Sequence, residues 1–86
     1  VESKIEKAVN TYARKRGWLT YKWSSANCRG VPDRIYIRDG VIIMVEYKSP
    51  GRKLTPLQAY VHQQLTDAGC TVYVINNIDN GKLLFA

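Results

Sequence analysis

A chain of 86 residues suffices for one domain with a small core, and its two cysteines, Cys28 and Cys70, are too few and too far apart for a disulfide framework or a zinc knuckle. No run approaches the roughly 18 apolar residues of a membrane span and no basic-then-apolar leader opens the sequence, so two ordinary thiols in a reducing cytoplasm are expected. A formal charge of +6 and a pI near 9.6 favour a polyanionic partner, most simply nucleic acid, while the lone His62, without Cys or His at ligand spacing, argues against zinc chemistry and a Ser-His-Asp triad.

Ser3 is a good N-cap, and Ile5, Ala8, Val9, Tyr12 and Ala13 recur at helical spacing, predicting an amphipathic helix over Lys4–Arg16 that Gly17 closes. Arg14, Lys15 and Arg16 suit that helix C-terminus through the macrodipole alone. Trp18–Trp23 reads as a strand in which at least one aromatic belongs to the core, and residues 24–31 as a polar loop. Two apolar strands follow, Asp33–Arg38 and Val41–Lys48, joined by Asp39-Gly40. Ser49-Pro50-Gly51 breaks the second of these. Thr55 then caps a helix with Pro56 at its first position, and Leu57, Tyr60, Val61, Leu65 and Ala68 line its expected buried face. Gly69 ends it. Thr71–Ile75 is a short strand reached by a helical crossover and therefore parallel to Val41–Lys48. Residues 76–81 read as a turn-rich loop and Lys82–Phe85 as a last edge strand. The expected fold is one α/β domain over residues 1–86: a mixed sheet flanked by helices, in the order αβββαβ with a possible final edge strand.

The hairpin carries the chemistry. If Asp39-Gly40 is a two-residue type I′ turn, Arg38 lies opposite Val41, and counting outward pairs Ile37 with Ile42, Ile35 with Met44 and Asp33 with Glu46. Lys48 stands two residues beyond Glu46, on the same face. Directly opposed carboxylates destabilise a hairpin unless something compensates. One compensation is a salt-bridge cluster with Lys48; the other is a hard divalent cation, with Lys48 orienting or deprotonating a bound water, an arrangement suited to phosphodiester hydrolysis.

Pro32-Asp33 followed by Glu46-Tyr47-Lys48 resembles the PD-(D/E)XK nuclease motif. With Gly30-Val31 before it, the basic loop after it and Leu54-Thr55-Pro56-Leu57-Gln58 downstream, the chain is similar to the virus-type replication-repair nuclease (VRR-NUC) branch, from the helix carrying Glu6 through the strand at Thr71. The resemblance implies a restriction-endonuclease-like fold and a Mg²⁺- or Mn²⁺-dependent DNA endonuclease. Asp33, Glu46 and the backbone carbonyl of Tyr47 would be metal ligands, Lys48 would activate the water, and Glu6 and Gln58 would be accessory. Both of the latter also sit in capping boxes, Ser3-Lys4-Ile5-Glu6 and Thr55-Pro56-Leu57-Gln58, so each has a structural alternative. Arg29, Arg52 and Lys53 are candidate nucleic-acid contacts, the last two beside a helix N-terminus that itself attracts phosphate.

No base-reading motif is visible, so a structure-selective enzyme is expected. The nuclease unit alone is expected, and stand-alone units of this type resemble viral resolvases. That resemblance points to a homodimer acting on four-way (Holliday) junctions in a host cytoplasm. A flap-type nuclease, an RNA-processing nuclease and a non-cleaving nucleic-acid-binding module on the same fold are the alternatives.

Overall fold

The computed structural model describes residues 3–86. It runs α1 (Lys4–Lys15), β1 (Leu19–Lys22), β2 (Arg34–Arg38), β3 (Val41–Tyr47), α2 (Pro56–Asp67), β4 (Thr71–Ile75) and α3 (Ile78–Leu84). The strands form one sheet in the order β1-β2-β3-β4, antiparallel except for the parallel β3–β4 pair.

In α1 the Ser3 hydroxyl accepts the Glu6 N–H, and Glu6, Val9, Asn10 and Ala13 form the buried stripe. The helix ends one residue earlier than expected, in a Schellman motif: Trp18 N–H bonds the Ala13 carbonyl and Gly17 N–H that of Arg14, both at 3.1 Å. The same motif closes α2, with Cys70 N–H on the Leu65 carbonyl at 2.9 Å and Gly69 N–H on that of Thr66 at 3.0 Å. Each turns the chain from a helix straight into a strand. Asp39 and Gly40 have φ of 51° and 79°, the left-handed pair a type I′ turn demands. The hairpin register follows the expectation: Arg38 faces Val41, Ile37 faces Ile42 and Ile35 faces Met44.

One face of the sheet, with Tyr36, Ile43, Val45, Tyr47 and Ile75, packs on Val9, Ala13, Trp18 and Phe85. Alternation sends Glu46 to the other face, where α2 lies. The two faces are thus covered by different helices, α1 and α3 on one and α2 on the other.

Three expectations are corrected. Residues 78–84 are helical, so the chain closes with a helix where an edge strand was expected at Lys82–Phe85. Asn77 caps that helix by accepting the Asn80 N–H at 2.8 Å. Phe85 is fully buried, with ring centroids 5.3 Å from Trp18 and 4.5 Å from Tyr36, and Gly81 lies so close to Val9 that a side chain there would collide. These contacts with distant segments, invisible in a seven-residue stretch read by itself, favour the helix.

The buried stripe of α2 is also rotated by about one residue. Leu57 and Tyr60 are 50% and 62% exposed, while Val61 and His62 are buried. The inward face serves a polar partner, Glu46, instead of an all-apolar core. Finally, β1 is shorter than expected at both ends: Trp18 joins the core, and Trp23 N–H bonds the Asp33 carbonyl at 2.9 Å.

Candidate active site

Asp33 stands just before β2, its backbone carbonyl accepting from Trp23 N–H just past the end of β1 and its Oδ2 accepting the Tyr47 N–H at 2.8 Å. Glu46, its expected partner across the hairpin, has a side chain only 5% exposed. Burial raises the Glu46 carboxyl to about 7, and the neighbouring Asp33 contributes next, by charge and by hydrogen bond. Lys48 opposes that rise, its Nζ 3.9 Å from Glu46 Oε2. The Lys48 N–H continues the β3–β4 pairing onto the Ile75 carbonyl at 2.9 Å, which keeps its side chain in phase with Glu46.

Between them, Tyr47 turns its ring to the opposite face. The Tyr36 hydroxyl lies 3.2 Å from Asn10 Oδ1, the acceptor of its one proton, so the Tyr47 hydroxyl, 2.8 Å away, donates to Tyr36. Burial holds both phenols above their ordinary pKa, Tyr47 the further. The chain of hydroxyls anchors Tyr47 from below, and its backbone is the part that meets the carboxylates.

Helix α2 closes the site from above. Its capping box is complete: Gln58 N–H donates to Thr55 Oγ1 at 3.1 Å and Thr55 N–H to Gln58 Oε1 at 3.0 Å. Gln58 Nε2 then donates to Glu46 Oε2 at 3.2 Å. The cap and the contact with Glu46 are therefore compatible, one for each end of the amide. One turn on, His62 brings Nε2 to 3.9 Å from Glu46 Oε1. Both of these atoms are buried without a hydrogen-bond partner among the described residues. Burial lowers the His62 pKa, countered by the negative charge of Asp33. His62 was set aside in the sequence for lack of ligand spacing; the signal that finds it is its i,i+4 relation to Gln58.

Glu6 is placed elsewhere. Its Oε2 takes Arg34 Nε at 2.8 Å and Lys22 Nζ at 3.5 Å. Arg34 precedes Ile35 on β2 and so projects to the α1 face, away from Glu46. Of the causes acting on the Glu46 carboxyl, Glu6 is the smallest. Only half of the Ser3–Glu6 capping box forms, because the Glu6 side chain is drawn to Arg34. Asp33, Glu46, Lys48 and Gln58 thus converge, and Glu6 lies beneath them.

Arg29, Arg52 and Lys53 are exposed and make no ion pair among the described residues. Arg29 precedes Gly30, whose missing side chain lets the loop seat on α2: a Cβ there would lie 2.6 Å from Val61 Cγ2 and 2.8 Å from the Leu57 carbonyl. Arg52 and Lys53 lie in the loop from β3 to the α2 N-terminus.

Among the described residues no three His, Cys, Asp or Glu side chains gather in metal-holding geometry. The available donors are the Asp33 and Glu46 carboxylates and the Tyr47 backbone. An all-oxygen set this small fits a hard cation that keeps several waters. The unpartnered Glu46 Oε1, buried beside a second carboxylate, is the atom whose surroundings such a cation would satisfy.

The VRR-NUC domain family model matches residues 1–77, from α1 through β4. The protein named "Putative nuclease p44" of Acyrthosiphon pisum secondary endosymbiont phage 1 is 42% identical over 84 residues, covering 96% of this chain and 90% of that protein. A solved structure described as a VRR_NUC domain superposes with a TM-score of 0.88 at 27% identity, covering 96% of this chain and 91% of the other. A family match over most of the chain, a relative of nearly equal length and the shared fold agree with the convergence of Asp33, Glu46, Lys48 and Gln58: the chain belongs to the VRR-NUC domain family of nucleases.

Proposed function

We propose that this chain is a divalent-metal-dependent, structure-selective DNA endonuclease that works as a homodimer on four-way (Holliday) junctions, in the cytoplasm of a phage-infected cell. The observation that carries the reading is the Asp33–Glu46 pair, two adjacent carboxylates held together against their repulsion with Lys48 at 3.9 Å from Glu46 Oε2. A bound Mg²⁺ or Mn²⁺ would offset that repulsion, lower the pKa of a bound water and take up charge on the scissile phosphate. The chain's own part is to orient. Tyr47 N–H fixes Asp33, Gln58 fixes Glu46, and Lys48 offers an ammonium to the water and to the charge that develops on phosphorus. Arg29, Arg52 and Lys53 are exposed cations that make no ion pair among the described residues, suited to backbone phosphates. One site hydrolyses one strand, and a C₂ dimer supplies the second site that paired cuts in a junction require. The phage relative named as a nuclease supports the enzymatic reading and the viral setting.

The test is to incubate the protein with duplex, flap and four-way-junction DNA, with and without Mg²⁺ or Mn²⁺, and to measure its mass by light scattering. Metal-dependent, symmetric paired cuts by a dimer are expected. A monomer that makes single nicks in flaps would remove the resolvase and leave the nuclease. Cleavage confined to RNA would move the substrate. Binding without cleavage in either metal would replace the enzyme with a binding module.

A further inference from the structure

Two buried polar atoms in this site lack hydrogen-bond partners, and they face each other: Glu46 Oε1 and His62 Nε2, 3.9 Å apart. Buried polar atoms are rarely left unmade, and this gap is about 1 Å longer than an N–H···O bond. The other oxygen of the same carboxylate is already gripped from the same helix, Gln58 Nε2 on Oε2 at 3.2 Å. Residues 58 and 62 stand one turn apart on one face of α2, so the helix presents two donors to the two oxygens of one carboxylate. The arrangement is a clamp with one jaw closed.

We propose that His62 is a positioning residue for Glu46: its Nε2–H closes onto Oε1 when a divalent cation enters, and with Gln58 it fixes the plane of the carboxylate. The inference rests on the metal-dependent reading above. Each carboxylate oxygen has two lone pairs, so a donor from α2 on each still leaves capacity for a cation. A carboxylate held in this way loses less freedom on binding metal, and hydrogen bonds to metal ligands generally tune affinity in this manner. In the metal-free protein the same histidine is a liability, a buried nitrogen without a partner. The two states therefore make opposite demands on the residue, and this distinguishes a positioning role from simple packing.

Two variants separate the roles. His62→Leu keeps apolar volume and removes the donor; His62→Gln restores an amide N–H near the place of Nε2. Binding of Mn²⁺ to the full chain is measured by calorimetry without DNA, melting temperature is measured in EDTA, and kcat and KM are measured on a junction substrate. His62→Leu is expected to melt higher in EDTA, yet to bind Mn²⁺ about tenfold more weakly and to lose kcat with KM for DNA unchanged. His62→Gln is expected to regain most of the Mn²⁺ affinity. Wild-type Mn²⁺ affinity and kcat in His62→Leu would overturn the proposal, as would equal losses in the Leu and Gln variants. If His62→Leu does not fold, His62→Asn replaces it, since the shorter amide falls short of Oε1 and should lose the affinity that Gln keeps. A wild-type protein that neither binds Mn²⁺ nor cuts would fell the metal-dependent reading and this one with it. One that does both, alongside an unaltered His62→Leu, fells this one alone.

Discussion

Replacing Glu46 with Gln should stabilise the metal-free protein at neutral pH while destroying its activity. Burial and Asp33 raise the Glu46 carboxyl from the ordinary 4.5 to about 7. Between those values the folded state binds a proton that the unfolded chain has released, so stability falls as pH rises through the window; below about 4.5 the group contributes nothing. At about 1.4 kcal/mol per pH unit, the gap corresponds to about 3 kcal/mol lost by pH 8. Gln is isosteric and uncharged, and its carbonyl still accepts from Gln58, so most of that loss should disappear. The Lys48 ion pair already enters that net value, so the expected stabilisation at pH 8 stays at about 3 kcal/mol, or roughly 15 °C in melting temperature for a domain of this size. The assay is urea denaturation followed by circular dichroism, in EDTA, at pH 4.5 and pH 8. His62, whose pKa burial lowers, works in the opposite sense, since its contribution grows as pH rises, and comparing variant with wild type at each pH cancels most of it. The two proteins should be nearly equal at the acid end and diverge at the alkaline end. Parallel curves across the window would refute the claim that Glu46 is held against its own charge. Added Mg²⁺ or Mn²⁺ should stabilise the wild type at pH 8 and leave Glu46→Gln nearly unmoved.

Asp33→Asn and Lys48→Ala should each abolish nearly all cleavage with circular dichroism unchanged; full activity in either would remove that residue from the mechanism. Glu6→Gln should cost about 1–3 kcal/mol, because it weakens a largely buried charge-assisted bond to Arg34, and the loss should appear in urea midpoints. A fall in kcat beyond what that destabilisation explains would restore an accessory role to Glu6. Gly30→Ala should destabilise by about 1–3 kcal/mol and lower activity by displacing α2, since the new Cβ meets Val61 and the Leu57 carbonyl. Arg52→Ala and Lys53→Ala should each weaken DNA binding across all sequences and reduce the slope of log affinity against log salt by about 1; an unchanged slope would take these cations off the interface.

The sequence alone determined what depends on near neighbours. Asp39-Gly40 admits a two-residue turn, that turn sets the register, and a period of two then forces Asp33, Glu46 and Lys48 onto one face. The helix caps at Ser3 and Thr55 were legible for the same reason, since a cap and its N–H partner lie three residues apart. Only the tertiary structure decided what those elements meet. Gln58 carries both a capping and an accessory reading in the sequence and His62 neither, and what each meets is decided when α2 is laid over Glu46. The α2 face then turns them inward and leaves Leu57 and Tyr60 outside, against the apolar pattern. Glu6 had a cap, a catalytic site and a distant arginine open to it, and Arg34 won because β2 delivers a half-buried guanidinium to its carboxylate. The closing helix was equally unreadable. Seven residues with only Ile78, Leu83 and Leu84 apolar carry no decisive period, and their conformation follows from where the core receives Phe85. Local chemistry fixes which side of a strand or helix a residue occupies, and the partner on that side is supplied by the packing of distant segments.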